Sequence, residues 1–222
     1  MVGHRAHPQW GALVSLFDGA DPVQFAPGAW LYPGYATQQA ADILAAIRAC
    51  VRQAPLRHFT TPGNKKMSVL SSNCGDFGWV SDTKGYRYQA LDPLTHAPWP
   101  KIPTLLYEDA VRVAKQAGYP DFVPNACLIN VYKPGAKMGL HQDRDESDLT
   151  HPVVSYSFGL PARFIWAGQS RTGAKQRLPL NHGDVLVWGG PSRLNYHGID
   201  KLVDGTHPLT QQTRVNLTLR KA

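Results

Sequence analysis

Two seven-residue segments, far apart in a chain of 222 residues, alternate in the same way. Successive side chains of a strand point to opposite faces. In Ala126–Tyr132, Leu128, Asn130 and Tyr132 therefore share one face, and Cys127, Ile129 and Val131 the other. In Arg214–Arg220, the face of Arg214, Asn216, Thr218 and Arg220 lies opposite Val215, Leu217 and Leu219. Each segment reads as a strand with an apolar side for a core and a polar side that needs partners, because an amide or guanidinium buried without them is costly. A solvated edge would satisfy the arginines, and nearby backbone would satisfy Asn130. A carboxylate ligand would satisfy both, since the planar guanidinium fork takes a carboxylate in a bidentate way. Further strands at 153–158, 163–166, 176–180 and 185–188 are separated by turn signals at Pro134-Gly135, Gly168, Gly173, Gly183 and Gly189-Gly190. Short strands at such intervals predict a sandwich or open barrel.

The first half reads differently. Thr37 is placed as the N-cap of a helix over 38–53, with Ile43, Leu44, Ile47 and Val51 on one face. Pro103 and Gly118 frame a second helix over 104–117. Between them, 61–100 is rich in glycine and proline and reads as a long loop, a kind of segment that is usually functional or disordered. Its Trp79, Tyr86, Tyr88 and Trp99 are interleaved with Lys65, Lys66, Lys84 and Arg87. Rings that stack on bases and cations that pair with phosphates suit nucleic acid; rings that pack the loop onto the core are the plainer reading. A net charge of +7 favours a polyanionic partner without specifying a fold. Hydrophobic residues at 43% suit a single globular domain. Cys50, Cys74 and Cys127 form no CxxC pair and read as reduced thiols of a cytoplasmic protein. No apolar run is long enough for a membrane span or signal peptide.

The chemistry is concentrated in His141-Gln142-Asp143 and the distant His197. Two nitrogens and one carboxylate on one face of a metal leave the other face open, the arrangement of non-haem Fe(II) oxygenases. His182 reads as a structural turn residue, His151 and His207 as exposed loop residues before prolines, and His4 and His7 as part of the N-terminal tail. The acidic run Asp145, Glu146 and Asp148 lacks the glycine and terminal glutamate of an EF-hand. Asp145 is read as facing substrate, and Glu146 and Asp148 as solvated.

With Thr61-Pro62-Gly63, Met67-Ser68-Val69, Asn73-Cys74-Gly75, Gly118-Tyr119-Pro120-Asp121-Phe122, Gly159-Leu160-Pro161-Ala162, Val187-Trp188-Gly189-Gly190 and Tyr196-His197-Gly198-Ile199, the chain resembles AlkB. This is the Fe(II)/2-oxoglutarate-dependent nucleic-acid dealkylase family, and the resemblance is nearest to its bacterial members. It implies an α+β fold: a double-stranded β-helix (jelly roll) core with N-terminal helices and a nucleotide-recognition lid over about 61–100. A partly flexible extension over 1–30 would precede a single domain over 31–222. The resemblance implies Fe(II) on His141, Asp143 and His197, with 2-oxoglutarate and O2 as co-substrates. Leu128, Asn130 and Tyr132 would contact 2-oxoglutarate, Arg214 and Asn216 its distal carboxylate, and Arg220 the carboxylate beside the keto group. Thr61, Met67, Trp79, Tyr86, Arg87, Tyr88, Asp145 and Arg171 would meet the substrate, with His141 stacked on the target base. The implied reaction removes methyl groups from N1-methyladenine and N3-methylcytosine as formaldehyde, with succinate and CO2 as co-products. Single- or double-stranded alkylated DNA is the implied substrate, with RNA as a second class and the enzyme as a monomer. A hydroxylase of a protein or small molecule on the same fold is the alternative enzyme, and a catalytically idle nucleic-acid reader the alternative binder.

Overall fold

The structure, a computed structural model, describes residues 21–222. Positions 1–20, including His4, His7 and most of the expected extension, lie outside the described residues. In chain order the elements are β1 (Val23–Ala26), β2 (Ala29–Tyr32), α1 (Ala40–Gln53), β3 (Arg57–Thr60), β4 (Lys66–Gly75), β5 (Gly78–Asp82), β6 (Gly85–Gln89), α2 (Thr104–Gln116), β7 (Ala126–Tyr132), β8 (Met138–His141), β9 (Val153–Gly159), β10 (Ala162–Gly168), β11 (Gln176–Leu180), β12 (Val185–Trp188), β13 (Tyr196–Ile199) and β14 (Arg214–Arg220).

The strands form an eight-stranded sheet ordered β1-β2-β12-β9-β14-β7-β4-β3, a four-stranded sheet ordered β11-β10-β13-β8, and the hairpin β5-β6. The apolar faces of the large sheet, including Cys127, Ile129, Val215, Leu217 and Leu219, pack under Ile43, Leu44 and Ile47 of α1 and Leu106, Ala110 and Val113 of α2. On its other side, Tyr132, Val153, Leu186 and Trp188 pack with Phe164, Trp166, Leu180 and Ile199 of the small sheet. This is an α+β fold with a jelly-roll core. β14 pairs with β7 in full register, Arg214 opposite Tyr132 and Asn216 opposite Asn130, so the polar faces of both strands meet between the sheets.

Several boundaries differ from the sequence reading, each for a physical reason. Thr37 does not cap α1, which starts at Ala40 with Gln39 in the cap position and no side-chain cap. Residues 36 and 37 are drawn instead to the β11–β12 turn: Ala36 N–H donates to the Gly183 carbonyl at 2.8 Å, and the Thr37 hydroxyl to that of His182 at 3.5 Å. The expected loop 61–100 holds the ten-residue β4. Its Ser71, Ser72 and Asn73, which read as loop residues, are buried and bonded to Asn130, the Ala54 carbonyl and the Trp79 backbone. β1 and β2 form a hairpin that begins at Val23, ahead of the expected start of the domain at 31, and β2 pairs with β12. His207 is not a bare loop residue; it stacks on His182 with ring centroids 4.2 Å apart. The half-buried His151 lends its carbonyl to Arg193 at 2.9 Å.

Candidate active site

β8 and β13 are neighbours, and their pairing sets His141 opposite His197. Gly198 allows this closeness: a Cβ there would lie 2.7 Å from the Met138 carbonyl oxygen. Asp143 follows directly after β8, and one ligating atom from each of His141, Asp143 and His197 falls within 4.8 Å of the others. The His141 Nδ1–H donates to the Gly139 carbonyl at 2.9 Å, and that of His197 to the Asn195 carbonyl at 3.0 Å. A carbonyl can only accept, so each neutral ring leaves its Nε2 lone pair free for a metal. Those two Nε2 atoms lie 3.8 Å and 3.7 Å from the Asp143 oxygens. Burial alone would push the Asp143 carboxyl up; the charges of Arg220, His197, His141 and Arg193 more than reverse this and hold it well below the usual carboxylate range. Burial, with repulsion from His141, pushes His197 down to about 4, so the ring is neutral at physiological pH and its Nε2 lone pair is available.

A cavity of about 490 Å³ opens beside these three residues, lined by Leu128, Asn130 and Tyr132 of β7 and by Arg214, Asn216, Thr218 and Arg220 of β14. Arg214 is 1% exposed and lies 5.0 Å from the Tyr132 ring centroid. Its Nη2 donates to the Ser157 hydroxyl at 3.0 Å, while Nε and Nη1 have no partner. A buried guanidinium with idle donors and no acid beside it fits a carboxylate ligand. Arg220 is already occupied, donating to Asp143 Oδ2 from Nε at 3.0 Å and from Nη2 at 2.8 Å. At the outer end, Trp79 and Tyr86 of the β5–β6 hairpin line the same cavity and stack at 5.5 Å and 14°. Trp79 Nε1 donates to Asp145 Oδ2 at 2.8 Å.

The chain matches the 2OG-Fe(II) oxygenase superfamily over residues 28–220. It is 49% identical to the alpha-ketoglutarate-dependent dioxygenase AlkB of Escherichia coli strain K12, across 95% of this chain and 98% of that protein. The chain belongs to the AlkB family of 2OG-Fe(II) oxygenases. It is also 32% identical to the nucleic acid dioxygenase ALKBH1 of Homo sapiens, over 56% of this chain and 32% of that protein. The solved structure of OsALKBH1 superposes with a TM-score of 0.75 at 26% identity, covering 91% of this chain and all of that one. As an AlkB-family member, the protein is a 2-oxoglutarate-dependent dioxygenase that uses Fe(II) and O2. The triad and the idle Arg214 donors suit the metal and a dicarboxylate respectively.

Of the substrate residues expected from the AlkB resemblance, Thr61, Met67, Trp79, Tyr86, Tyr88, Asp145 and Arg171 all line the cavity. Arg87 does not. Period-two alternation turns it away from Tyr86 and Tyr88, and it pairs with Asp82 at 2.8 Å and 3.0 Å. Asn216 lines the cavity, but its amide donates to the Ser155 hydroxyl at 2.8 Å and the Tyr156 carbonyl at 2.9 Å, which uses both its hydrogens. Glu146 is buried rather than solvated, paired with Arg193 at 3.1 Å and accepting from the Tyr88 hydroxyl at 2.6 Å. Sequence reasoning also missed Ser71, whose hydroxyl donates to Asn130 Oδ1 at 2.7 Å. That bond occupies the amide oxygen and leaves the amide hydrogens of Asn130 for the cavity. A serine in a strand carries no signal of such a role; only the cross-strand register, Ser71 opposite Asn130, reveals it.

Proposed function

We propose that this enzyme repairs alkylated nucleic acid, removing methyl groups from N1-methyladenine and N3-methylcytosine in DNA, with RNA as a second substrate. The observation that carries the reading is the β5–β6 hairpin, which sets the stacked Trp79 and Tyr86 and the Trp79–Asp145 hydrogen bond over the cavity that holds the metal triad. The AlkB and nucleic acid dioxygenase names of its relatives support it.

His141, Asp143 and His197 would hold Fe(II). Arg214 would clasp the distal carboxylate of 2-oxoglutarate over the Tyr132 ring, and Asn130 would donate to the same molecule. With the metal, 2-oxoglutarate and O2 bound, the centre supplies oxidative decarboxylation to succinate and CO2, coupled to hydroxylation of the methyl carbon. The resulting hydroxymethyl base then loses formaldehyde. Trp79, Tyr86 and the metal triad line one cavity that a base stacked inside a duplex cannot enter, so the target must be flipped out or single-stranded. Methylation at the pairing edge lowers that cost, because the lesion cannot pair. Trp79 and Tyr86 would hold the extruded base and its backbone, and Arg171 would line its pocket. Methylation at these nitrogens makes the base cationic at neutral pH, and the Asp145 carboxylate favours that charge. Among the described residues no helix is long and apolar enough to cross a membrane; we place the enzyme in the cytoplasm as a monomer.

Mass spectrometry of 1-methyladenine and 3-methylcytosine oligonucleotides, incubated with Fe(II), 2-oxoglutarate, ascorbate and air, tests the proposal. Loss of a methyl mass with matching succinate is expected. Succinate formation that no methylated oligonucleotide raises would point instead to a protein or small-molecule hydroxylase. Asp145→Ala should cut activity on cationic lesions more than on neutral ones, and equal losses would refute its electrostatic role.

A further inference from the structure

Asn73 does not line the cavity, yet both ends of its side-chain amide are committed to one residue that does. Its Oδ1 accepts from the Trp79 N–H at 3.0 Å, and its Nδ2 donates to the Trp79 carbonyl at 2.9 Å. A primary amide in that pose copies the donor and the acceptor that a neighbouring strand would offer. No strand offers them here: within the described residues, β5 and β6 pair only with each other. Between Asn73 and Trp79 the chain turns back at Gly75, where φ is +127° and a Cβ would collide with the Asn125 carbonyl oxygen. Asn73 stands opposite the cavity-lining Leu128 of β7, so its side chain leaves the sheet on the cavity side, beneath the hairpin. The residue is buried. Ser81, two residues beyond Trp79, ties the hairpin separately, its hydroxyl donating to the Thr60 carbonyl at 2.7 Å. From the clamped backbone the Trp79 indole reaches Asp145 Oδ2 at 2.8 Å. An indole N–H only donates, so it takes one carboxylate oxygen and leaves Oδ1 for the cavity.

We propose that Asn73 is a positioning residue for lesion choice: its amide fixes the Trp79 backbone, the indole N–H then fixes Asp145, and the pair sets where a carboxylate meets a cationic base. The inference rests on the reading of Trp79 and Asp145 as substrate residues. With both backbone polar groups of Trp79 held, only its side-chain torsions remain free. The edge of Phe59 at 5.9 Å and the stacked Tyr86 at 5.5 Å restrict those. Without the Asn73 amide, the buried side of β5 keeps the Ser81 tie but loses its hold on Trp79 itself. A small shift of that backbone swings the indole tip off the Asp145 oxygen. Stacking on a base tolerates such a shift, because every base has a broad π-face, whereas a hydrogen bond does not. The loss therefore falls on recognition of charge more than on recognition of a ring.

Two variants of the full chain test this. Asn73→Asp keeps the volume and the acceptor but, when ionised, sets an oxygen against the Trp79 carbonyl; Asn73→Ser lacks the reach. The first readout needs no turnover: the Trp79 indole N–H resonance of the metal-free protein, identified by its loss in Trp79→Phe. Asp145→Ala should move that resonance, and both Asn73 variants should move it the same way. The second readout is kcat/KM on oligonucleotides carrying 1-methyladenine, which is cationic, or 3-methylthymine, which is neutral. The cationic-to-neutral ratio should fall about tenfold in the Asn73 variants, the worth of one hydrogen bond to a charged group. Affinity for 2-oxoglutarate, measured with Mn(II), should hold. An unmoved resonance, or equal losses on the two lesions, would overturn the inference. If neither variant folds, Ser81→Ala decides: it cuts the other tie, spares Asn73, and should leave the resonance and the ratio in place, and movement of either would overturn the inference. Failure of the unaltered protein to act on either oligonucleotide would overturn the repair reading instead, and the resonance alone would then decide the clamp.

Discussion

Arg214 and Arg220 stand at opposite ends of one strand, on the same face, both buried, and they do opposite things. Arg220 donates to Asp143 from two of its nitrogens and lies near Glu146, so its charge is answered at the metal end. Arg214 has no acid beside it, and two of its nitrogens are idle. Burial pushes the Arg214 guanidinium below its ordinary range; at Arg220 burial acts the same way, but Asp143, Tyr88 and Glu146 override it and hold the cation. A buried arginine with its acids in place is internal wiring, whereas one without them is a receptor for an acid that arrives from outside.

Substitution should separate the two roles. Arg220→Leu strands the buried Asp143 carboxylate and should destabilise the metal-free protein by about 3–5 kcal/mol in urea unfolding. A loss under about 1 kcal/mol would mean that the pair is worth no more than an exposed one. Arg214→Met removes an unpaired cation, so the metal-free protein should hold or gain stability while 2-oxoglutarate binding, followed calorimetrically with Mn(II) present, weakens by about 2–5 kcal/mol. Unchanged binding would mean the clasp lies elsewhere. Ser71→Ala leaves Asn130 Oδ1 without its donor and should raise the KM for 2-oxoglutarate several-fold with kcat held, an effect of about 1 kcal/mol that Ser71→Thr should restore.

The smallest effect belongs to an arginine of a third kind, the half-buried Arg87 of the hairpin. Its hydrogen bonds to Asp82, with help from the Lys84 backbone, hold that carboxyl down to about 2 from an ordinary 3.8. A folded-state value below the unfolded one adds stability that is complete above the ordinary value and is lost as pH falls through about 2. An NMR titration of the Asp82 carboxyl carbon should move back toward 3.8 in Arg87→Gln, with little change in overall stability. No movement would show that the backbone bond alone sets the value.

Much of the inner site was legible because it lies on strands that alternate cleanly. β7 and β14 could be read residue by residue, and their polar faces do line the cavity. β8 and β13, which carry both histidines, escaped because Met138–His141 and Tyr196–Ile199 are four residues long with a glycine inside. β4 escaped because its Ser-Ser-Asn run looks like a loop until Asn130, Ala54 and Trp79 supply its partners. Glu146 was misread for a related reason. Acidic residues near a turn are solvated unless cations arrive from elsewhere, and here Arg193 and Arg220 come from distant parts of the chain. Local pattern reports which face a residue occupies; whether a charge there is answered depends on what the topology brings opposite it.

The bare α-carbon of residue 198 carries a wider lesson. A methyl group there would press on the Met138 carbonyl and wedge apart the two ribbons that present the imidazoles. The gap between the rings is thus gauged by main chain against main chain, before any ion enters. An alanine at 198 would leave every donor atom in the sequence and still change the bore of the socket, so cation selectivity should be sensitive to a residue that can never touch the cation.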